Sequence, residues 1–227
     1  MDRDDAAYKG QREYTRPFLT IYDSLVLGFF APVVWRIPPA RLVEEYRRHL
    51  GDRHLDVGPG TGYFLDRAGI HDHQAVTLLD PNRNVLEFAS RRLQGHDVTL
   101  IEADVCKPLP VHGPFDSAAL SGVLHCLPGP LPRKAVAIAN VAAVLAPTGV
   151  LFGATILGDS GHSTRLSRTV LRTNNRRGTF DNLGDTLEGL REILEASFED
   201  VELEAVGSMA IFAATGPRVN QPTDGTL

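Results

Sequence analysis

The chain has 227 residues, of which 43% are hydrophobic and 22% are charged, the composition of a globular protein with one substantial core. Its formal net charge of −5 argues against a protein that wraps a nucleic-acid duplex, because phosphate contacts need clustered lysines and arginines. Residues 1–5 are too acidic for a signal peptide. The two cysteines, Cys106 and Cys126, are typical of buried thiols in a reducing compartment. We therefore expect a cytoplasmic protein without a nucleic-acid partner.

Two apolar segments, residues 18–25 and 29–37, precede the rest of the chain. The first carries large apolar side chains at helical spacing, and the second ends at a pair of prolines. The longest apolar run is interrupted by Gly28 and Pro32 and is too short to span a membrane. Because both segments are too aromatic for a linker, we predict that residues 1–38 form a helical cap over a ligand pocket.

A glycine motif follows the first predicted strand. A short apolar run ends in Asp56, and Gly58, Gly60 and Gly62 then occur at every second position. A strand, a glycine turn and a helix in this order form a nucleotide site, because glycines let a ligand approach the backbone and the helix N-terminus offers free N–H groups. The spacing differs from the dinucleotide fingerprint G-x-G-x-x-G, since Tyr63 stands where its third glycine belongs.

Strands and helices alternate through the remaining sequence, which predicts an α/β fold with a mostly parallel sheet. Asp80 ends the second predicted strand, and Asp104 follows the third. The predicted helices cover residues 39–50, 83–93, 131–145 and 182–197, the predicted strands cover residues 54–57, 74–80, 97–102, 115–127 (with an exit loop) and 150–157, and residues 198–206 and 207–214 form a predicted hairpin.

These motifs resemble those of the class I S-adenosylmethionine-dependent methyltransferases. That family's first motif is an acidic residue followed by x-G-x-G-x-G, and the matching residues here are Asp56, Gly58, Gly60 and Gly62. Residues 115–127 are similar to the family's F-D…L-H segment. Residues 144–151 are similar to its L-x-P-G-G-x-L segment, with Thr148 in place of one glycine.

The resemblance covers about residues 40–215 and implies a Rossmann-like sheet of seven strands. The implied strand order is 3-2-1-4-5-7-6, mostly parallel, with the last strand antiparallel. It divides the chain into the cap, a core of residues 39–215 with a helical insertion at about 158–197, and a flexible tail at 216–227.

The resemblance also implies S-adenosyl-L-methionine as the cofactor. The four motif residues would surround it, and Asp80 would accept hydrogen bonds from the ribose hydroxyls; a helix N-cap is the alternative role for Asp80. Asp104 would accept from the adenine amino group, while the backbone N–H of Val105 would meet a ring nitrogen. Ser121 would lie near the methionyl part of the cofactor.

The acceptor side of the site is less specific. His125 is positioned to face the transferred methyl group, either as a general base for a substrate hydroxyl or as a structural residue that caps a loop or stacks beside the cofactor. In the resembling family a helical N-terminal segment often contributes to the substrate site. Tyr14, Tyr22 and Trp35 are therefore candidates for the substrate pocket, with packing between cap and core as the alternative for each.

Two charged stretches remain. Arg165, Arg168 and Arg172 fall on one predicted helical face, which is either solvated or a patch for an acidic substrate group or a carrier-protein phosphate. His71 and His73 lie in a loop without a third ligand at suitable spacing, so no metal site is predicted.

We therefore predict an enzyme that moves a methyl group from S-adenosylmethionine to O, N or S of a small molecule, plausibly in specialised metabolism, by in-line transfer driven mainly by proximity. The implied partner is a small-molecule acceptor, with no membrane and a possible homodimer. The alternatives are a protein that binds the cofactor without transferring its methyl group, including one that uses it as an electrostatic aid, and an NAD-dependent reductase.

Overall fold

The computed structural model describes residues 15–218, apart from the side chain of Arg16, and it contains a seven-stranded sheet in the order β3-β2-β1-β4-β5-β7-β6. β7 lies antiparallel between β5 and β6, and the other neighbouring strands pair in parallel. The predicted topology is confirmed. The strands are β1 (Arg53–Val57), β2 (Ala75–Asp80), β3 (Asp97–Glu102), β4 (Phe115–Ser121), β5 (Leu145–Ile156), β6 (Phe198–Val206) and β7 (Met209–Pro217).

Helices cover both faces of the sheet, so the central strands are apolar on both sides. On one face Leu120 and Leu151 pack with Ile138, and on the other Leu78 packs with Phe152. The helices are α1 (Arg16–Tyr22), a π-helix (Asp23–Trp35), α2 (Pro39–His49), α3 (Tyr63–Ala68), α4 (Arg83–Arg92), α5 (Leu131–Ala142), α6 (Arg165–Arg177) and α7 (Leu187–Glu195), with a short 3₁₀ turn at Leu124–Cys126.

The N-terminal helix is longer than the sequence indicates. α1 and the π-helix form one continuous helical stretch through both Gly28 and Pro32. Its hydrogen bonding is π-helical from Asp23 to Trp35, a range that contains Pro32. The 19 residues Pro17–Trp35 have a mean hydropathy of 1.6, so by length and composition alone this helix could cross a membrane. Part of it packs on the domain, however, since Val34 and Trp35 are buried against the sheet and α6.

Two predicted boundaries move. α7 begins at Leu187, not at residue 182, and Leu183, within the predicted helix, is 56% exposed. The reason is that Asn182 does not continue a helix but donates from its side chain to the Ile156 carbonyl at 2.8 Å. At the other end, β7 runs through Pro217, so the first residues of the predicted tail belong to the sheet; residues 219–227 lie outside the described part of the chain.

A buried ion pair fastens the helical insertion to the core. Lys134 of α5 is fully buried and donates to the Asp185 carboxylate at 2.7 Å and to the Asp181 carbonyl at 2.6 Å. Asp181 in turn donates its backbone N–H to the carbonyl of His125 at 2.9 Å. The segment between α6 and α7 is therefore attached directly to the loop that follows β4.

We expect Lys134→Met to lower the free energy of unfolding by about 3–5 kcal/mol, because the Asp185 carboxylate then stays buried without its partner. Urea unfolding of the purified variant measures the loss. The double variant Lys134→Met/Asp185→Leu is the control: it should recover much of the stability, since both buried charges are gone. Equal destabilisation of the single and double variants would contradict this account.

Candidate active site

The main crevice lies at the carboxyl ends of β1, β2 and β4, where an open parallel sheet offers loops and helix N-termini to a ligand. Eight residues were predicted from the sequence to surround the cofactor. Six of them line this crevice: Gly58, Gly60, Asp80, Asp104, Val105 and Ser121. Asp56 and Gly62 do not line it. The assigned contacts of all eight remain predictions, although the crevice brings together groups from four separate segments.

Gly58 and Gly62 are required by close contacts on two sides of the turn. A Cβ atom on Gly58 would lie 2.6 Å from Cγ2 of Val123, and its φ of +67° is the left-handed region that favours glycine. Gly62, with φ of +74°, precedes α3 and packs against Ala89 of α4, where a Cβ atom would lie at 3.3 Å. Gly62 therefore serves helix packing, while Gly58 faces the crevice.

Asp56 is buried beneath the crevice. Tyr46 of α2 donates its hydroxyl to the Asp56 carboxyl at 3.4 Å, and only 2% of Asp56 is exposed. Burial raises the pKa of Asp56 to about 8. The acidic position of the motif thus supports the end of β1 from below.

Asp80 presents a carboxylate oxygen to the crevice. Its Oδ1 accepts the backbone N–H of Asn82 at 2.7 Å, and among residues 15–218 no hydrogen bond engages its Oδ2. Asp80 is not the N-cap of α4, the alternative role that the sequence left open for it. The N-cap is Asn82, whose side chain accepts from the backbone N–H of Asn84. A buried carboxylate with an unused oxygen fits a ribose diol, whose two hydroxyls donate hydrogen bonds.

The loop after β3 is held by a side chain that the sequence does not point to. Asn140 of α5 donates to the carbonyls of Val105 and Lys107 at 2.8 and 2.9 Å. Asp104 accepts the backbone N–H of Cys106 at 2.9 Å, which leaves its carboxylate at the crevice. The loop therefore presents a carboxylate at the crevice, at the position predicted to contact the adenine amino group, and an amide on a neighbouring helix fixes it.

A second cavity of about 290 Å³ adjoins the crevice and shares Tyr22, Ser121 and Gly122 with it. The predicted pocket residues Tyr22 and Trp35 line this cavity, and Tyr14 lies outside the described residues. The apolar part of the lining is Phe18, Leu25, Val26, Leu27, Phe30, Ala31, Trp35, Leu42, Phe64, Ile156, Phe180 and Met209. The N-terminal helix and the insertion therefore enclose one largely apolar space beside the crevice.

His125 lines the second cavity and is only 6% exposed. The backbone N–H of Ile156 donates to its Nδ1 at 3.3 Å, and the ring lies edge to face on Phe180, with centroids 4.6 Å apart. Burial lowers the pKa of His125 to about 3, and the Lys134 ammonium adds to the effect. Nδ1 also lies 3.3 Å from the Thr155 hydroxyl, which can donate or accept, whereas the Ile156 N–H can only donate; this assigns the proton of the neutral ring to Nε2.

A clasp of three side chains joins the N-terminal helix to the glycine turn. Arg92 of α4 donates to Asp23 at 2.5 Å and to the hydroxyl of Thr61 at 3.0 Å, while Thr61 donates to the other oxygen of Asp23 at 2.6 Å. Asp23 directly follows Tyr22, which lines both cavities. The clasp therefore holds Tyr22 over the junction between the crevice and the second cavity.

The fold and the crevice define a Rossmann-like protein that binds an adenosine-containing cofactor. Residues 55–151 match a family model described as a methyltransferase domain. The chain is 38% identical to demethylluteothin O-methyltransferase of Streptomyces thioluteus, over 93% of each protein. It is 36% identical to the N-methyltransferase vrtF of Penicillium aethiopicum, over 79% of this chain and 76% of the relative.

A solved structure shares the fold. N-methyltransferase NodS from Bradyrhizobium japonicum, in complex with S-adenosylhomocysteine, superposes with a TM-score of 0.63 at 16% identity, over 95% of this chain and 100% of NodS. The chain belongs to the class I S-adenosylmethionine-dependent methyltransferase family. It is a methyltransferase that uses S-adenosylmethionine and acts on a small-molecule acceptor.

We expect S-adenosylhomocysteine to bind roughly tenfold more weakly at pH 6 than at pH 8. Burial raises the pKa of Asp80 to about 7, and the ionised carboxylate, the predicted acceptor for the ribose hydroxyls, is the form that is lost as the pH falls. Calorimetric titration across this range measures the effect. The Asp80→Asn variant keeps an oxygen that can accept the Asn82 N–H. It should bind S-adenosylhomocysteine weakly, with an affinity that does not change with pH. An affinity independent of pH in the unmodified protein would contradict the assignment of Asp80.

Arg92→Ala should speed amide hydrogen exchange in residues 16–35 and weaken S-adenosylhomocysteine binding roughly fivefold, because the partly exposed clasp is lost. Exchange mass spectrometry and calorimetry measure the two effects. Arg91→Ala is the matched control, since Arg91 is 61% exposed and only approaches Glu87 at 4.0 Å. If both variants behaved alike, the clasp would have no role in holding the helix.

Proposed function

We propose that this enzyme methylates a hydroxyl oxygen of a flat, largely apolar small molecule held between its N-terminal helix and the carboxyl edge of the sheet. The observation that carries the proposal is the cavity of about 290 Å³ that shares Tyr22, Ser121 and Gly122 with the cofactor crevice. An acceptor in this cavity lies against the residues predicted to surround the methionyl group. The enzyme's main contribution is then alignment of two partners in a dry space.

The walls of the cavity support a conjugated or aromatic acceptor. Phe30, Trp35 and Phe180 provide aromatic surfaces, and Met209 provides an adaptable side chain beside them. A few polar groups in an apolar cavity orient a ligand and give specificity. The relative from Streptomyces thioluteus is named an O-methyltransferase, which supports an oxygen acceptor. The relative vrtF is named an N-methyltransferase, which would correspond to a nitrogen acceptor.

His125 serves this reaction as a hydrogen-bond donor. Its Nδ1 already accepts the Ile156 N–H, so the basic lone pair is engaged, and its Nε2 carries the proton. A donor of this kind stabilises an acceptor that arrives with an ionised oxygen, such as a phenolate or enolate. The general-base role suggested by the sequence would need a free basic nitrogen.

The chemistry needs no covalent enzyme intermediate. The bound cofactor supplies an electrophilic methyl group on a positively charged sulfur. The hydroxyl proton leaves to solvent, and the oxygen lone pair forms the new O–C bond as the S–C bond breaks. Among residues 15–218, no group of three or more metal-ligating side chains is assembled.

Four further properties belong to this proposal. We infer a cytoplasmic enzyme, supported by Cys106 and Cys126, which do not form a disulfide. We infer no nucleic-acid partner, supported by the net charge of −5. Burial of Val34 and Trp35 supports a helix that packs on its own domain without entering a membrane. The exposed apolar side chains of Ile21, Phe29 and Val33 support a homodimer, which sedimentation would detect.

The first test is calorimetric titration of the protein with S-adenosylhomocysteine, with NADH in parallel, followed by assays with labelled S-adenosylmethionine. Paired phenol and aniline acceptors of the same shape distinguish oxygen from nitrogen transfer. Transfer to the phenol supports the proposal, and transfer to the aniline alone overturns the choice of oxygen. Cofactor binding without transfer to any acceptor would favour a binding protein that does not methylate.

We expect the pH dependence of kcat/KM to reflect the ionisation of the acceptor hydroxyl and not the ionisation of His125. For phenols of different acidity, the apparent pKa should shift with the acceptor's own pKa, because ionisation precedes transfer and His125 stays neutral above about pH 4. His125→Ala should lower kcat by roughly ten- to a hundredfold without moving that pKa. One apparent pKa near 6.5 for all phenols, lost in His125→Ala, would instead identify a general base.

A further inference from the structure

Besides Tyr22 and His125, the second cavity is lined by two sets of polar residues. Ser121 and Gly122 also line the cofactor crevice, so they mark the end where the methyl group is transferred. Asn174, Arg177 and Thr179 line the second cavity but not the crevice, and they come from the insertion. A molecule that fills the cavity therefore meets a polar set away from the reacting oxygen as well as one beside it.

Arg177 is the charged member of the second set. Within residues 15–218 it forms no hydrogen bond or ion pair, and its side chain is exposed at the cavity. Asn174 is already committed, since its side chain donates to the Val170 carbonyl at 3.0 Å. An unpaired guanidinium beside aromatic walls is suited to a planar anionic group, because its N–H groups match two carboxylate oxygens.

The helix itself does not require arginine at this position. α6 ends at Gly178, and its last turn contains both Arg176 and Arg177, either of which interacts favourably with the helix C-terminus. Only Arg177 of these two lines the cavity. The five arginines of α6 thus separate into solvent-facing residues and one residue that faces the acceptor space.

We propose that Arg177 binds an anionic group of the acceptor, so that the substrate class is an acidic, hydroxylated, flat molecule with its acid remote from the methylated oxygen. The proposal rests on the proposed function and narrows its substrate. The insertion then determines substrate specificity. Phe180 contacts His125 near the methylated oxygen, and Arg177 binds the anionic group at the other end of the acceptor. The acceptor enters with its apolar body between these two contacts.

The test uses two probes of the same shape, 4-hydroxycinnamate and its methyl ester, titrated into the protein loaded with S-adenosylhomocysteine. The unmodified enzyme should bind the acid roughly ten- to a hundredfold more tightly than the ester. Arg177→Ala should bring the two affinities within about twofold, with the ester little changed, and Arg177→Lys should restore part of the preference. Arg176→Ala, the matched control, should keep it.

Equal binding of acid and ester by the unmodified enzyme, binding of neither, or the same loss in Arg176→Ala and Arg177→Ala would overturn the proposal. Measuring both binding and methylation of the probes shows whether a failure belongs to the anion site or to the proposed oxygen transfer. If the acid is preferred through Arg177 but its hydroxyl is not methylated, oxygen transfer fails while the anion site stands. If both probes are methylated equally by all variants, the proposed function stands and the anion site fails.

Discussion

The close passage of the glycine turn between two neighbouring segments is the constraint on which the site depends. Gly58, directly after β1, lies against Val123 of the loop after β4, and Gly62, directly before α3, lies against Ala89 of α4. A side chain at either position would move one of these neighbours. Because the turn fits between them, the carboxyl ends of β1, β2 and β4 open into one crevice, with Asp80 and Ser121 on its rim.

The acceptor cavity depends on two segments that are far apart in the chain. The N-terminal helix is held at the glycine turn by the clasp of Asp23, Thr61 and Arg92. The insertion is held at α5 by the buried pair of Lys134 and Asp185. Both attachments are hydrogen-bonded ion pairs, whose directional contacts fix the position of each segment. The apolar side chains between the two segments are therefore not needed to position them. The cavity can thus be apolar and still have a defined position.

Much of the cofactor side could be predicted, because local patterns determine it. Apolar runs that end in an acid predicted β1 and β2, and the strand order followed from the resemblance of the motifs; six of eight named cofactor residues line the crevice. The pattern placed Asp56 in the same motif, but it could not show that Tyr46 covers the carboxyl from below. That contact joins α2 to β1, and the local pattern of either element does not show how the two pack.

The acceptor side shows where the sequence is insufficient. The sequence left open whether the arginines of residues 165–177 face solvent or bind an acidic group. The helical spacing that grouped Arg165, Arg168 and Arg172 did not single out Arg177. Arg177 matters because the chain returns past His125 after α6 and closes the cavity there. In the same way, the sequence divided the N-terminal segment into two apolar pieces, yet one helical stretch runs through Gly28 and Pro32 and packs against the sheet.

The sequence by itself determined the class of fold and the glycine turn, since these follow from periodicity and backbone freedom, and it indicated the cofactor through the resemblance of its short motifs to those of the methyltransferases. Only the tertiary structure decided which polar side chains meet. Arg92 with Asp23, Asn140 with the Val105 carbonyl, and the Ile156 N–H with His125 are each far apart in the chain. Their hydrogen bonds act over about 3 Å, so they depend on how the elements pack and not on the spacing of residues along the chain.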